Sequence, residues 1–218
     1  MRKYLFILLS ALVLIAYSCK SANKTDKSNA AQTSAQNGKT FSVQKGQTTI
    51  NWTAYKKSNK APVHGTFKSS ASNTASLVKK ATPATTALGA VNGLEFNVPV
   101  MDIFSGNEQR DNILRKFFFG IMKNTVQLQG TVHLDSTAAS TGRVDFSMND
   151  EEHSFPVTFS VKDDTVSLMG SMDMNDWHII SAMKSLNDHC KLQHTGADGV
   201  SKTWSVVDLN VSTVLSVK

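Results

Sequence analysis

Val126-Gln127-Leu128-Gln129-Gly130-Thr131-Val132-His133-Leu134 alternates apolar or glycine positions with polar ones without a break. A period of two is strand spacing, because successive side chains of an extended chain point to opposite faces. The same rhythm recurs on both sides of this stretch. Before it come Ile50, Trp52 and Ala54, then Val63, Gly65 and Phe67 after Pro62, then Leu94, Phe96, Val98 and Val100. After it come Val144, Phe146 and Met148, then Phe155, Val157, Phe159 and Val161, then Val166, Leu168, Gly170, Met172 and Met174, and last Val207, Leu209, Val211, Thr213, Leu215 and Val217. These eight segments predict an all-β domain whose sheet has one dry and one wet face. The linkers Asp135-Ser136 to Thr141-Gly142, Asn149-Asp150-Glu151-Glu152 and Asp163-Asp164 suit hairpins, so the order is antiparallel and up-and-down. Such a sheet either closes into a barrel, which removes its edges, or splits into a two-layer sandwich. Periodicity alone leaves both open.

Two helical patches interrupt the strands. Ser105 and Glu108 have capping-box spacing, with Ile113, Leu114, Phe117 and Phe118 on one helical face and Gly120 at a C-cap position. Asp176 is placed to cap a second helix carrying Trp177, Ile180, Met183 and Leu186, with Lys184 turned outward. His189 through Thr203 then reads as a loop into the last strand. Residues 68–89, rich in Ser, Thr and Ala, predict a weak strand and a loop.

The N-terminus carries a different message. Met1-Arg2-Lys3 precedes an apolar run from Tyr4 to Tyr17, and Ala16-Tyr17-Ser18 leads directly to Cys19. This resembles a bacterial lipoprotein signal peptide, in which residues 1–18 are removed and Cys19 becomes the diacylated N-terminus. The run is too short, and Lys20 and Lys24 follow too closely, for a confident membrane span of about 20 residues. Two acyl chains make a stable anchor where one does not. Residues 19–40 lack aromatic, Leu, Ile and Val side chains and cannot offset their ordering entropy by burial, so they read as a tether. The ordered domain is expected over residues 41–218. The localisation that follows is export and lipid anchoring to a bacterial membrane, the outer membrane facing the periplasm. Lys20-Ser21-Ala22-Asn23 lacks the acidic residues that accompany surface display in some bacteria. An ordinary secretory signal with an incidental Cys, or a short membrane anchor, is the competing reading.

Composition narrows the classes further. The formal charge of +6 over 218 residues falls to +4 once Arg2 and Lys3 leave, and the lysines are scattered, so no basic, aromatic-interleaved stripe marks a nucleic-acid binder. There are two cysteines; with Cys19 lipidated, Cys190 stands alone and excludes an internal disulfide and a Cys-rich zinc site. About 150–180 residues can close one apolar core. An exported domain also sits where ATP and reduced nicotinamide are scarce. No phosphate-binding glycine loop, nucleophile elbow or triad spacing stands out. His189, Cys190 and His194 cluster in sequence but lack an evident fourth ligand, so no metal site is expected there.

Val63-x-Gly65-Thr66-Phe67, the apolar strand Leu94 to Val100, Ile103 through Arg110-Asp111, Phe117-Phe118, Gly130-x-Val132-x-Leu134 and Phe155-Pro156-Val157-Thr158-Phe159 follow one another in the order seen in the YceI-like family. The resemblance spans about residues 45–218 and implies an eight-stranded antiparallel, lipocalin-like barrel with two short helices at its rim. It also implies a tunnel that holds an extended isoprenoid lipid or quinone tail, in a protein exported to the periplasm. The chain departs from the family at Met174–Ile179, where many members have an Asn-x-Arg-x-x-Phe-Gly-like stretch and this chain has no Arg. A lipoprotein subgroup fits that difference.

The residues point the same way. A small barrel either fills with its own side chains or holds one slender ligand. Trp52, Phe67, Phe96, Val98, Leu128, Val132, Phe146, Phe159, Met172 and Met174 are the expected lipid-binding wall, with flexible methionines adapting to an irregular chain. Gly65, Gly130 and Gly170 are expected to remove bulk or bend the strands. Arg110, Asp111, Phe117 and Phe118 are candidates for a polar gate at the rim; a structural ion pair is the competing reading for Arg110 and Asp111. The expectation is thus a non-enzymatic carrier or sequestering protein with an apolar lipid ligand and no other cofactor. Its rivals are an interaction module with a filled core and an enzyme acting on a hydrophobic substrate.

Overall fold

The computed structural model describes residues 38–68, 78–135 and 139–218. The expected signal peptide, Cys19 and nearly all of the tether lie outside the described residues, as do residues 69–77 and 136–138.

All eight alternating segments are strands, and two short ones join them. In chain order they are β1 (Phe41–Lys56), β2 (Ala61–Phe67), β3 (Val78–Lys80), β4 (Glu95–Pro99), β5 (Ile103–Phe104), β6 (Gln127–Leu134), β7 (Thr141–Met148), β8 (Glu151–Lys162), β9 (Thr165–Asp173) and β10 (Thr203–Val217). They form one antiparallel sheet in the order β3-β4-β6-β7-β8-β9-β10-β1-β2-β5. A single continuous sheet removes the sandwich alternative. The sheet curls into a half-barrel of the lipocalin-like kind, with the ten strands replacing the expected eight because β3 and β5 extend its two edges.

Turn chemistry sets the register. Asn149 (φ 56°) and Asp150 (φ 61°) both adopt the left-handed conformation, as a two-residue hairpin turn requires, so β8 begins at Glu151 and not near Phe155. The register then pairs Met148 with Glu151 and Phe146 with His153. Gly46 (φ 95°) lies in a register shift of the β1–β10 pair between Val43 and Thr48. A second shift separates Ala54 from Lys56. Such bulges increase local twist and help a long strand coil around a bore.

The helices plug the two ends. α1 (Ala87–Val91) is capped by Thr86, whose Oγ1 accepts from the Gly89 N–H at 3.0 Å. It packs on β1, β6 and β9. At that end Phe41, Ala87, Ala90, Phe159, Val166 and Leu215 are buried. At the other end α2 (Glu108–Ile113) runs on as a π turn, Leu114–Phe118, and a 3-10 turn, Phe119–Ile121. α3 (Ile180–His189) packs on these turns and on β10, and α4 (Lys191–His194) follows it.

The caps differ from expectation. Asn107, not Ser105, caps α2 through a 2.9 Å bond from the Arg110 N–H. Gly120 sits inside the 3-10 turn and is not a C-cap. Asp173 caps the 3-10 turn Met174–Trp177, and α3 starts only at Ile180 with no side-chain cap. Because the turn ends at His178 in the left-handed conformation, the helical phase shifts by one: Ile179 is buried and Ile180 is 74% exposed. The expected loop from His189 to Thr203 contains α4. No helix among the described residues is long and apolar enough to cross a membrane.

Candidate functional site: an apolar cavity inside the sheet

Between the two plugs the sheet is hollow. The cavity measures ≈ 220 Å³. A void able to hold several waters stays dry only if its walls are apolar. Among the described residues, the side-chain oxygens and nitrogens on the walls belong to Thr48, Thr203, Thr213, Trp52 and Trp204, and the Trp52 indole N–H donates to the Thr66 carbonyl at 3.1 Å. Thr48 and Thr213 hydrogen-bond each other at 2.8 Å, and the Trp204 indole N–H donates to the Lys57 carbonyl at 2.8 Å. The walls therefore offer dispersion contact and hydrophobic burial, and among the described residues they carry no carboxylate, imidazole, amine or thiol.

Nine of the ten expected wall residues line this space: Trp52 from β1, Phe67 from β2, Phe96 and Val98 from β4, Leu128 and Val132 from β6, Phe146 from β7, Met172 from β9 and Met174 just beyond it. Phe159 does not. It shares the inward phase of Phe155 and Val157, but it lies farther along β8, opposite Leu168, and is buried without reaching the cavity.

Strand glycines make room for the rings. Gly65 lies directly across from Trp52, and a Cβ there would fall inside the indole. Gly130 lies across from Phe96, and a Cβ there would meet Phe96 Cζ at 2.6 Å. Both rings thus lie along the wall, over a position without a side chain. Of the two roles expected for these glycines, removal of bulk is the one the contacts show.

The expected gate is elsewhere. Neither Arg110 nor Asp111 touches the cavity. Asp111 is buried and accepts from the backbone N–H of Ser105 at 2.9 Å and from its hydroxyl. Arg110 donates from Nε to Ser105 Oγ at 2.8 Å and from Nη2 to the Ser105 carbonyl at 2.9 Å. The two side chains do not pair with each other; they converge on Ser105 and pin the loop before α2. Phe117 also misses the cavity, because the π turn rotates it outward to stack on His189 at 3.3 Å between ring centres. Phe118 and Phe119 line it instead.

At the α3 end Thr203, on the cavity wall, joins a small polar network. Thr203 Oγ1 donates to Asn187 Oδ1 at 3.1 Å, so His194 Nδ1, 2.7 Å from the same hydroxyl, must be the donor to it. Burial and, secondarily, the Lys56 charge lower the His194 pKa to about 4, so the ring is neutral near pH 7. Burial likewise raises the pKa of the Cys190 thiol, which leaves it protonated and unreactive. Outside Thr203, Lys202 and Lys60 place their ammonium groups 3.6 Å and 4.6 Å from the Trp204 ring centre. Cation–π contact of this kind holds a charge beside an apolar surface.

Residues 41–203 match the model of the YceI-like domain. The chain belongs to the YceI-like family. No curated protein matches the sequence. Among solved structures, a polyisoprenoid binding domain from Saccharophagus degradans, implicated in plant cell wall breakdown, superposes with a TM-score of 0.52 at 10% identity over 82% of this chain and 98% of that one. BcnA from Burkholderia cenocepacia gives a TM-score of 0.46 at 12% identity, over 78% and 96% of the two chains. A Campylobacter jejuni YceI protein gives 0.40 at 15% identity, over 58% and 72%. At these identities the first of them shows a shared fold, which agrees with the curled sheet described above.

Several lining residues of this YceI-like chain were not singled out from its sequence. Ile50, Val207, Leu209 and Val211 lie in the inward phase of β1 and β10 and were readable as wall. Trp204 was not, because Ala54 pairs with Val207 but Lys56 with Thr203, and this shift breaks the alternation before Trp204. Leu114, Phe119, Met183 and Leu186 enter from helical segments whose inward faces depend on the π turn and the late start of α3.

Proposed function

We propose that this YceI-like protein is an exported, membrane-tethered lipid-binding protein that encloses the extended apolar chain of an isoprenoid-type lipid and performs no chemistry on it. The observation that carries the reading is the cavity of ≈ 220 Å³ with apolar walls. Each methylene moved from water into such a space is worth about 0.8 kcal/mol, so an extended chain of a dozen carbons supplies ample affinity without any polar contact. The Saccharophagus degradans domain of the same fold, described as polyisoprenoid binding, supports the choice of an isoprenoid. Met148, Met172, Met174 and Met183 give the wall side chains that adapt to a methyl-branched ligand. The headgroup is placed at the α3 end, where Thr203, His194 and the lysines around Trp204 gather. The Cys19 motif supports a diacyl anchor, and residues 19–40 let the domain reach the bilayer to collect or deliver its ligand. The outer membrane facing the periplasm is the proposed site.

The test is organic extraction of the purified full-length chain followed by mass spectrometry. An isoprenoid at close to one molecule per chain is the expected result. A protein free of lipid that also fails to take up an added polyisoprenoid or quinone would overturn the reading in favour of a filled interaction module.

A further inference from the structure

We propose that Glu151, His153 and His178 form a binding site for one divalent transition-metal ion of the zinc class. The sequence pattern is the first indication. Along β8 the inward phase reads Glu151, His153, Phe155, Val157 and Phe159, so two ligand-type side chains occupy positions where the strand's own alternation calls for apolar ones. They lie at the start of the strand, at the α3 end, where the 3-10 turn Met174–Trp177 delivers His178 against them.

Geometry is the second. One ligand atom from each of the three residues lies within 4.8 Å of the others. His178 Nδ1 is 3.5 Å from Glu151 Oε1, and His153 Nε2 is 3.8 Å from Glu151 Oε2. Bonds of about 2.0–2.2 Å in a tetrahedral zinc site put ligand atoms roughly 3.3–3.6 Å apart. Closing around an ion thus needs a shift of about 1 Å or less at most contacts, which the exposed His178 side chain can make.

The third is an unsatisfied atom. His153 Nε2 is shielded from solvent and has no hydrogen-bond partner among the described residues. Burying such a group without a partner costs free energy, and an ion at this point would use its lone pair. The surroundings hold the ligands in place. His178 adopts the left-handed conformation (φ 52°), which a non-glycine residue takes up at a cost. Asn149 Nδ2 fixes that turn by donating to the Trp177 carbonyl at 2.8 Å. Asn149 is itself anchored, its Oδ1 accepting from the Lys123 N–H at 2.9 Å and its N–H donating to Thr125 Oγ1 at 2.8 Å. Two imidazoles and one carboxylate suit Zn²⁺, Ni²⁺ or Cu²⁺ and are poor for Mg²⁺ or Ca²⁺. Three protein ligands leave a fourth position to water. The ion would tie the start of β8 to the turn that carries Trp177, whose ring meets Phe146 on one side and His153 on the other.

The full-length chain, purified without a polyhistidine tag and stripped with a chelator, would be titrated with zinc chloride by calorimetry and followed by thermal melting. One ion per chain and a rise in Tm are expected. His178→Asn keeps a residue that tolerates the left-handed backbone but removes the imidazole, and should weaken zinc at least tenfold and abolish the Tm rise. Glu151→Gln should do the same, and His64→Ala, at an exposed imidazole elsewhere, should do neither. The idea is overturned by an absence of heat and of any Tm shift at millimolar zinc. It is equally overturned if His178→Asn binds as the parent does, which marks the three residues as an ordinary imidazole–carboxylate cluster.

Discussion

Replacing Val211 with Phe separates a hollow sheet from a packed one. Val211 sits near the middle of β10, between Ile50 on β1 and Leu168 on β9, and all three side chains line the cavity. The substitution adds about four carbons pointing into the bore. In a close-packed core an addition of this size forces neighbours off their rotamers and costs about 1–3 kcal/mol. In a void of ≈ 220 Å³ the ring has somewhere to go, so Tm should hold or rise. The same four carbons displace about four carbons of a bound chain, at about 0.8 kcal/mol each, for a loss near 3 kcal/mol. That is about a hundredfold in affinity. The assay pairs a thermal melt of the lipid-extracted protein with quantitative rebinding of a polyisoprenoid. A marked fall in Tm with unchanged lipid uptake would refute the reasoning, since it would mean that the space is already filled and that lipid does not use it.

Asp111→Asn should cost about 1–3 kcal/mol in urea unfolding, because it removes the charge from a buried carboxylate whose one oxygen accepts from both the N–H and the hydroxyl of half-buried Ser105; lipid affinity should not change, whereas a gate would alter it. Gly130→Ala should lower stability by about 1–3 kcal/mol, since the added Cβ meets Phe96 and the Asp145 carbonyl, and the displaced ring should narrow the bore and reduce lipid load in the extraction assay. His194 takes up its proton near pH 4 in the folded chain but near 6.5 when unfolded, so the unfolded state binds more protons between those values. Stability from this group is complete above pH 6.5 and falls by up to about 3 kcal/mol as pH drops to 4 and below. Urea unfolding at stepped pH should show that slope in the parent and lose it in His194→Gln, while the stabilisation from Asp145, whose pKa is lowered mainly by its Ser154 hydrogen bond, is lost only below 3.8.

The strand pattern was legible because it is local: each of the eight alternating runs carries its own phase, and neighbouring strands only had to accept it. The two short strands were not. β5 is two residues held by pairing with Thr66 and Phe67, and nothing in Ile103-Phe104 alone asks for a strand. Helix ends were misplaced for a similar reason. Ser105 has the spacing of a cap, but its hydroxyl is taken by Asp111 and Arg110, so Asn107 does the capping. The functional residues divide along the same line. Wall positions followed from strand phase, whereas Phe117, Phe159 and Trp204 were decided by a π turn, by distance along the strand and by a register shift, none of which composition announces.

What makes the interior hollow is the pairing of large rings with absent side chains. Trp52 faces Gly65, and Phe96 faces Gly130, across adjacent strands. Gly170 lies across from Leu209 on the β9–β10 pair, and a Cβ there would meet Val157 and Phe155 of β8. A ring over an ordinary residue would have to stand up from the sheet and cross the bore, filling it. Over glycine it can lie against the wall, and the center stays empty. At the α1 end Phe41, Phe159, Val166 and Leu215 are buried, and none of the four lines the cavity. The same sheet is therefore a core at one end and a container in the middle, where Gly65 and Gly130 let the rings of Trp52 and Phe96 lie against the wall.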